Sequence, residues 1–205
     1  MKKVILLLVL ILCTAIGAKQ SSSSEKKEML KQFEVFQNAV KNKDFETVKS
    51  MVQFPLNEEA GYAFITDENV NFENGVTEKM FSKYKSDVLG AMVEMTSIKV
   101  DSSKNNLTSY YEEGVSAEDK KRKYYYDEDE SSYYYKDKSN KKVYTGFCAS
   151  SVEGSFSDDG DLEVASSSFP AKVAPALSES CDHSINYYFK LINGKLKLYK
   201  ILVAG

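Results

Sequence analysis

The chain has 205 residues, 42% hydrophobic and 28% charged, with 27 Lys and Arg against 30 Asp and Glu and a formal net charge of -3. That is enough for one domain with a real core, and the near-even charge offers no basic face for nucleic acid. One histidine and three cysteines also fall short of the close-spaced ligand sets that metal sites require.

Met1-Lys2-Lys3 is a basic start, Val4 to Leu12 an unbroken apolar run, and Ala15-Ile16-Gly17-Ala18 a group of small residues, the pattern of a secretory signal peptide over residues 1–18. The apolar run is about half of the ~20 residues a membrane-crossing helix needs, so no transmembrane segment is expected. Cleavage is expected after Gly17 or Ala18. A rival reading takes Leu10-Ile11-Leu12-Cys13 as a bacterial lipoprotein box with Cys13 lipidated, although Leu12 is larger than the small residue usual there. Either way the protein is expected to be exported, whether periplasmic, secreted or at the cell surface. Losing Lys2 and Lys3 moves the net charge from -3 to about -5. Cys148 and Cys181 then remain. In an oxidising compartment such a pair is most simply a disulfide, the alternative being two unpaired buried thiols.

Residues 19–25 are small and polar and are expected to be a flexible linker into a single domain over 26–205. From Lys26, the spacing of Met29, Phe33, Phe36 and Val40 predicts an amphipathic helix ending near Asn42. Asp44 can cap a second helix carrying Phe45, Val48, Met51 and Val52, which Pro55 stops. Tyr62 to Thr66 reads as a short strand, and Thr77 to Val88 as a third helix after an Asn74-Gly75 turn.

Beyond Met95 the pattern turns to short segments rich in tyrosine and β-branched residues. Strands are expected at Met95 to Val100, Leu107 to Tyr111, Lys121 to Tyr126, Ser132 to Lys136, Val143 to Ser151, Asn186 to Ile192 and Lys195 to Val203. Asn193-Gly194 suits a tight turn between the last two. In the final strand the apolar alternation shifts phase after Leu198, which predicts a bulge there. Helices followed by strands indicate an α+β domain, with helices on one face of a mainly antiparallel sheet.

Phe33-x-x-Phe36-x-x-Ala39-Val40, then Asp44-x-x-x-Val48-x-x-Met51-Val52-x-Phe54-Pro55-Leu56, resembles the opening two helices of the nuclear-transport-factor-2-like superfamily. The closing Tyr188-Phe189-x-x-Ile192-Asn193-Gly194-Lys195-Leu196-x-Leu198 resembles that group's last hairpin. The resemblance implies a cone, a curved sheet wrapped around helices with a cavity at its open end. The superfamily holds isomerases, dehydratases and non-catalytic binding domains, so kinship selects no activity. Residues 101–142 are longer and more polar than a compact member needs, suggesting an extended hairpin.

His183 beside Cys181 and Asp182 invites a nucleophile or metal reading, but no second histidine is available and a disulfide-bonded Cys181 could not attack. The residue reads more simply as a turn. Tyr62 and Asp67 are expected to be a packing and a turn residue. Asp127 to Glu130 and Asp158-Asp159-Gly160-Asp161 lack the ligand order of a helix-loop-helix calcium site and read as solvated turns. Asn106-Leu107-Thr108 is a glycosylation acceptor only in a host with an endoplasmic reticulum.

The most unusual internal segment is Tyr124-Tyr125-Tyr126-Asp127-Glu128-Asp129-Glu130-Ser131-Ser132-Tyr133-Tyr134-Tyr135. It predicts a tyrosine-rich hairpin in which Tyr124, Tyr126, Tyr133 and Tyr135 are candidate contact residues, since such rings bring large area at little rotamer cost. The plainer alternative is a ribbon whose rings pack on one another. No catalytic set, metal site or cofactor motif emerges. The expectation is an exported non-catalytic binding domain for a small hydrophobic ligand, a glycan or a protein. The alternatives are an isomerase or dehydratase with a carboxylate in the cone, and an envelope scaffold or lipoprotein component that forms a homodimer.

Overall fold

The computed structural model describes residues 22–205 apart from 173. The expected signal peptide, Cys13, the cleavage positions Gly17 and Ala18, and residues 19–21 of the linker lie outside the described residues. None of the described helices is long and apolar enough to cross a membrane.

The chain opens with α1, Ser23–Lys41. It starts three residues before the expected Lys26, so 23–25 of the expected linker are helical. The cause is a capping box: the Ser22 hydroxyl accepts the Glu25 amide while the Glu25 carboxylate accepts the Ser22 amide. The stripe of Met29, Leu30, Phe33, Phe36 and Val40 is buried as its spacing requires. α2, Phe45–Ser50, begins at its Asp44 cap, whose carboxylate accepts the Thr47 amide at 3.2 Å.

α3, Glu59–Phe64, stands where the sequence reads as a strand from Tyr62. Ala60, Gly61 and Phe64 are buried on one side of a helical turn, leaving Tyr62 outside at 70% exposure. Gly61 allows this approach, because a Cβ there would lie 2.2 Å from the Phe72 ring. Tertiary packing overrides local β-preference. The expected third helix is broken at Tyr84 into α4, Glu78–Lys83, and α5, Lys85–Met92, followed by a 3-10 turn over Val93–Ser97.

The described strands form three antiparallel sheets. β1 (Lys99–Asp101) and β2 (Asn106–Thr108) make a small hairpin. β3 (Tyr110–Glu112) joins the main sheet. β4 (Tyr124–Asp127), β5 (Ser132–Lys136) and β6 (Lys142–Thr145) form a second sheet in that order. β7 (Cys148–Phe156), β8 (Leu162–Pro170), β9 (His183–Ile192) and β10 (Lys195–Ala204) complete the main sheet in the order β10-β9-β8-β7-β3. The architecture is α+β.

Several strands differ from expectation: Met95 to Val100 is strand only from Lys99, Leu107 to Tyr111 is divided between β2 and β3 in different sheets, and Lys121 to Tyr126 is strand only from Tyr124, after a 3-10 turn over Asp119–Lys121. Val143 to Ser151 is divided between β6 and β7, and β8, with its Ser166-Ser167-Ser168 run, carries too weak a β-signal to stand out. β8 exists because β7 and β9 pair with it on both sides. The last hairpin follows the sequence closely: Asn193 and Gly194 take φ values of 51° and 76°, and the β9–β10 register shifts between Leu198 and Lys200, the expected bulge.

The helices cover one face of the main sheet. Phe33 and Phe36 meet Phe189 edge-on at 5.3 and 5.2 Å, so the two chain ends share one core. Buried Gln37 donates to the Met95 and Ile98 carbonyls, tying α1 to the turn before β1. Cys148 and Cys181 are joined in a disulfide, which anchors the short α6 (Ser178–Cys181) to the start of β7.

Truncating Phe189 removes the ring on which both α1 phenylalanines pack. Phe189→Ala is expected to lower unfolding free energy by about 3–5 kcal/mol, read from urea midpoints at unchanged slope. Cys148→Ser/Cys181→Ser is expected to cost about 3–4 kcal/mol from the freed loop, by the same measurement under non-reducing conditions.

Candidate functional site

The space between the helices and the main sheet, where a cone cavity would lie, is occupied by Phe64, Phe81, Met92, Tyr187 and Phe189, all fully buried. The Tyr187 hydroxyl donates to the Ala91 carbonyl at 3.1 Å, and burial, with Glu94 adding to it, pushes its pKa up. Glu94 is itself exposed, and its carboxylate accepts the Ser166 hydroxyl.

The other residues singled out from sequence fall in separate places. His183 is exposed at the start of β9 and lines an open cleft of about 330 Å³ with Ser167, Ser168 and Asp182. Its backbone pairs with Ser168 in the β8–β9 ladder, but no side-chain hydrogen bond joins the imidazole to those groups among the described residues, and Cys181 is held in the disulfide. Asp67 accepts the Tyr84 hydroxyl at 2.9 Å and caps the Asn69 amide, and these bonds lower its pKa, the Asn69 amide most. Asp161, in the β7–β8 turn, accepts the Tyr199 hydroxyl. No group of three or more His, Cys, Asp or Glu side chains is placed to hold a metal ion among the described residues.

The tyrosines, by contrast, converge. Register sets Tyr124 opposite Tyr135, Tyr125 opposite Tyr134, and Tyr126 opposite Tyr133, while Tyr134 also faces Tyr144. Strand alternation then gives the small sheet two distinct faces. One carries Tyr124, Tyr126, Tyr133 and Tyr135 and turns partly inward: Tyr124 meets Phe147 edge-on at 5.9 Å, and Tyr133 lines a cleft of about 380 Å³ with Cys148, Leu177 and Ser180. Tyr126 remains 48% exposed at the rim.

The opposite face carries a ladder of Tyr125, Tyr134 and Tyr144. Their centroids are 5.5 and 5.8 Å apart across the three strands, and Tyr125 and Tyr144 are 37% and 44% exposed. Lys123 lies over the Tyr125 ring at 5.2 Å and Lys142 over Tyr134 at 4.9 Å. Beside the ladder, Asp127 is buried to 8% exposure while accepting Lys142 Nζ at 2.6 Å and the Tyr144 hydroxyl at 2.7 Å. The Lys142 bond, then the Tyr144 bond, hold the Asp127 pKa below the usual carboxylate range; Asp127 in turn raises those of Lys142 and Tyr144.

The sequence joins β6 to β7 in one expected strand, Val143 to Ser151, and does not reveal this outward ladder. The available signal was a turn at Asp137, whose carboxylate accepts the Ser139 and Lys141 amides, with Asn140 at φ 63°, before the short alternation Val143-Tyr144-Thr145. No protein-family model, curated protein or solved structure matches the chain.

Because the folded-state pKa of Asp127 is depressed, its contribution is fully present above the unfolded value and is lost as pH falls through the folded one. Asp127→Asn is therefore expected to be less stable than wild type at neutral pH, with the gap closing at pH values below the normal carboxylate range. Urea midpoints against pH, read by near-ultraviolet circular dichroism of the tyrosines, measure this.

Proposed function

We propose that this protein is an exported, non-catalytic binding domain of the cone-shaped nuclear-transport-factor-2-like kind, with its interior packed shut and its tyrosine-rich sheet serving as the contact surface for a protein partner. The observation that carries the reading is the ladder of Tyr125, Tyr134 and Tyr144, held outside the core by its own cross-strand packing and an internal Asp127–Lys142 pair. Large aromatic area in a rigid frame is characteristic of protein contact surfaces.

Several observations favour a protein over the other partners. A small hydrophobic ligand needs a chamber, and the space behind the main sheet holds aromatic side chains. A sugar ring stacks on a bare aromatic face, whereas Lys123 and Lys142 already cover two faces of the ladder. Ring edges, hydroxyl groups and strand edge remain. Export is supported by the leader pattern and is compatible with the disulfide. Kinship with the cone superfamily is supported by α1, α2 and the final hairpin, whose similar segments pack together through Phe33, Phe36 and Phe189.

A photoreactive benzophenone side chain placed at Tyr126, and separately at Tyr62 as a more exposed control outside the small sheet, tests the reading in the exporting cell. A discrete protein adduct is expected from position 126 and none from 62. No adduct at 126, or the same adducts from both positions, overturns it.

A further inference from the structure

Of the outer strands, β10 and β4 have their edges managed differently. Along β10 the exposed edge is closed by the helical layer: Gln32 accepts the Leu196 amide and donates to the Gly194 carbonyl, Met51 and Gln53 pair with both backbone groups of Leu198, and Asn57 does the same at Ile201. β4 has no such cover. It pairs with β5 alone, and among the described residues no other backbone hydrogen bond reaches Tyr124–Asp127. An open edge of backbone donors and acceptors is a template for another strand.

The sequence along this edge is specific. Lys120-Lys121-Arg122-Lys123-Tyr124-Tyr125-Tyr126-Asp127-Glu128-Asp129-Glu130 is a palindrome about Tyr125 in which every charge is inverted. The other outer strands lack this property: β6 runs Lys142-Val143-Tyr144-Thr145 and β3 runs Tyr110-Tyr111-Glu112.

We propose that a second copy of this chain adds antiparallel to the free edge of β4, about a two-fold axis through Tyr125. This rests on the reading of the tyrosine sheet as a protein contact surface and names the partner. Symmetry limits the registers. A two-fold normal to the sheet keeps each copy's faces on the same side, so directly opposed residues must share a face and the axis must pass through a residue. Centred on Tyr124 or Tyr126, the pairing sets tyrosines against charges. Centred on Tyr125 it sets Tyr124 against Tyr126 and Lys123 against Asp127 along the strand, and it brings the flanking Lys121 and Arg122, at the end of the 3-10 turn Asp119–Lys121, towards Glu128 and Asp129 in the β4–β5 turn of the other copy, each pairing occurring twice.

The result is a six-stranded sheet with the order β6-β5-β4-β4-β5-β6. The ladder of Tyr144, Tyr134 and Tyr125 continues through the axis into its symmetry mate. Lys123, which lies over the Tyr125 ring, and Glu128 make no ion pair within the chain among the described residues and are available across the edge. Arg122 keeps Glu118 and Asp119 on its own chain and contributes less. Asp127 uses Oδ2 for Lys142 and Tyr144, which leaves Oδ1 turned towards the Asp129 amide and open to Lys123 of the other copy.

Size-exclusion chromatography with light scattering over a concentration series, on the purified protein and two charge variants, tests the register. Lys121→Glu/Arg122→Glu and Glu128→Lys/Asp129→Lys each turn four attractive pairings between the flanks of the two strands repulsive, so each alone is expected to dimerise at least about tenfold more weakly than wild type. Mixed in equal amounts they restore attraction at all four pairs, and a mixed dimer is expected to form at wild-type strength. Its formation also shows that both variants fold. Weakening of the wild-type dimer by salt is expected as well. A wild-type protein that stays monomeric at every concentration, a dimer indifferent to both variants, or variants that circular dichroism shows folded yet fail to pair when mixed overturns the proposal. An adduct from Tyr126 with the mass of a different protein overturns the second copy as partner while leaving the tyrosine sheet as a contact surface.

Discussion

The closed edge of β10 is the constraint on which the rest of the main domain depends. A strand at the border of a sheet leaves alternate backbone groups without partners, and each such group costs about 1–3 kcal/mol if buried dry. Gln32 from α1, the 51–53 segment after α2 and Asn57 before α3 meet those groups at Gly194, Leu196, Leu198 and Ile201. Three successive parts of the helical layer are thereby fixed against one strand. The bulge between Leu198 and Lys200 belongs to the same arrangement, because Leu198 turns both its amide and its carbonyl to Met51 and Gln53. Apolar burial of Leu196, Leu198 and Ile201 then has a single register in which to act.

The small sheet is built on other terms. Its residues are mostly half-exposed, and its coherence comes from cross-strand ring pairs, lysines over ring faces and the buried carboxylate of Asp127 between Lys142 and Tyr144. The disulfide and α6 lie beside it, where Tyr133 and Leu177 share a cleft with Cys148 and Ser180. Rigid aromatic area thus projects from a domain whose interior is already full. That division is one of a closed core carrying an open accessory sheet.

Legibility followed the range of the forces involved. The α1 stripe, the Asp44 cap and the Asn193-Gly194 turn are decided within a few residues and could be read directly, as could the bulge from a shift in alternation. The Ser22-Glu25 capping box was equally local, yet its serine run looked like a linker. α3 and β8 were illegible because their partners are remote: Gly61 is fitted to Phe72, and the serines of β8 are strand only through β7 and β9. In the tyrosine segment the rings named from sequence proved to share the more sheltered face, and alternation alone has no means of telling which face a third strand leaves outward.

By itself the sequence determined the α+β class, the pairing candidates Cys148 and Cys181, the last hairpin and the charge-inverted palindrome around Tyr125. Those properties depend on composition, on residue spacing and on local turn geometry. The tertiary structure decided that the interior is filled by Phe64, Phe81, Tyr187 and Phe189, that β6 completes an outward ladder, and that β10 is covered while β4 is open. Each of those outcomes depends on which distant backbone edges and side chains meet, and that is settled only when the whole chain packs.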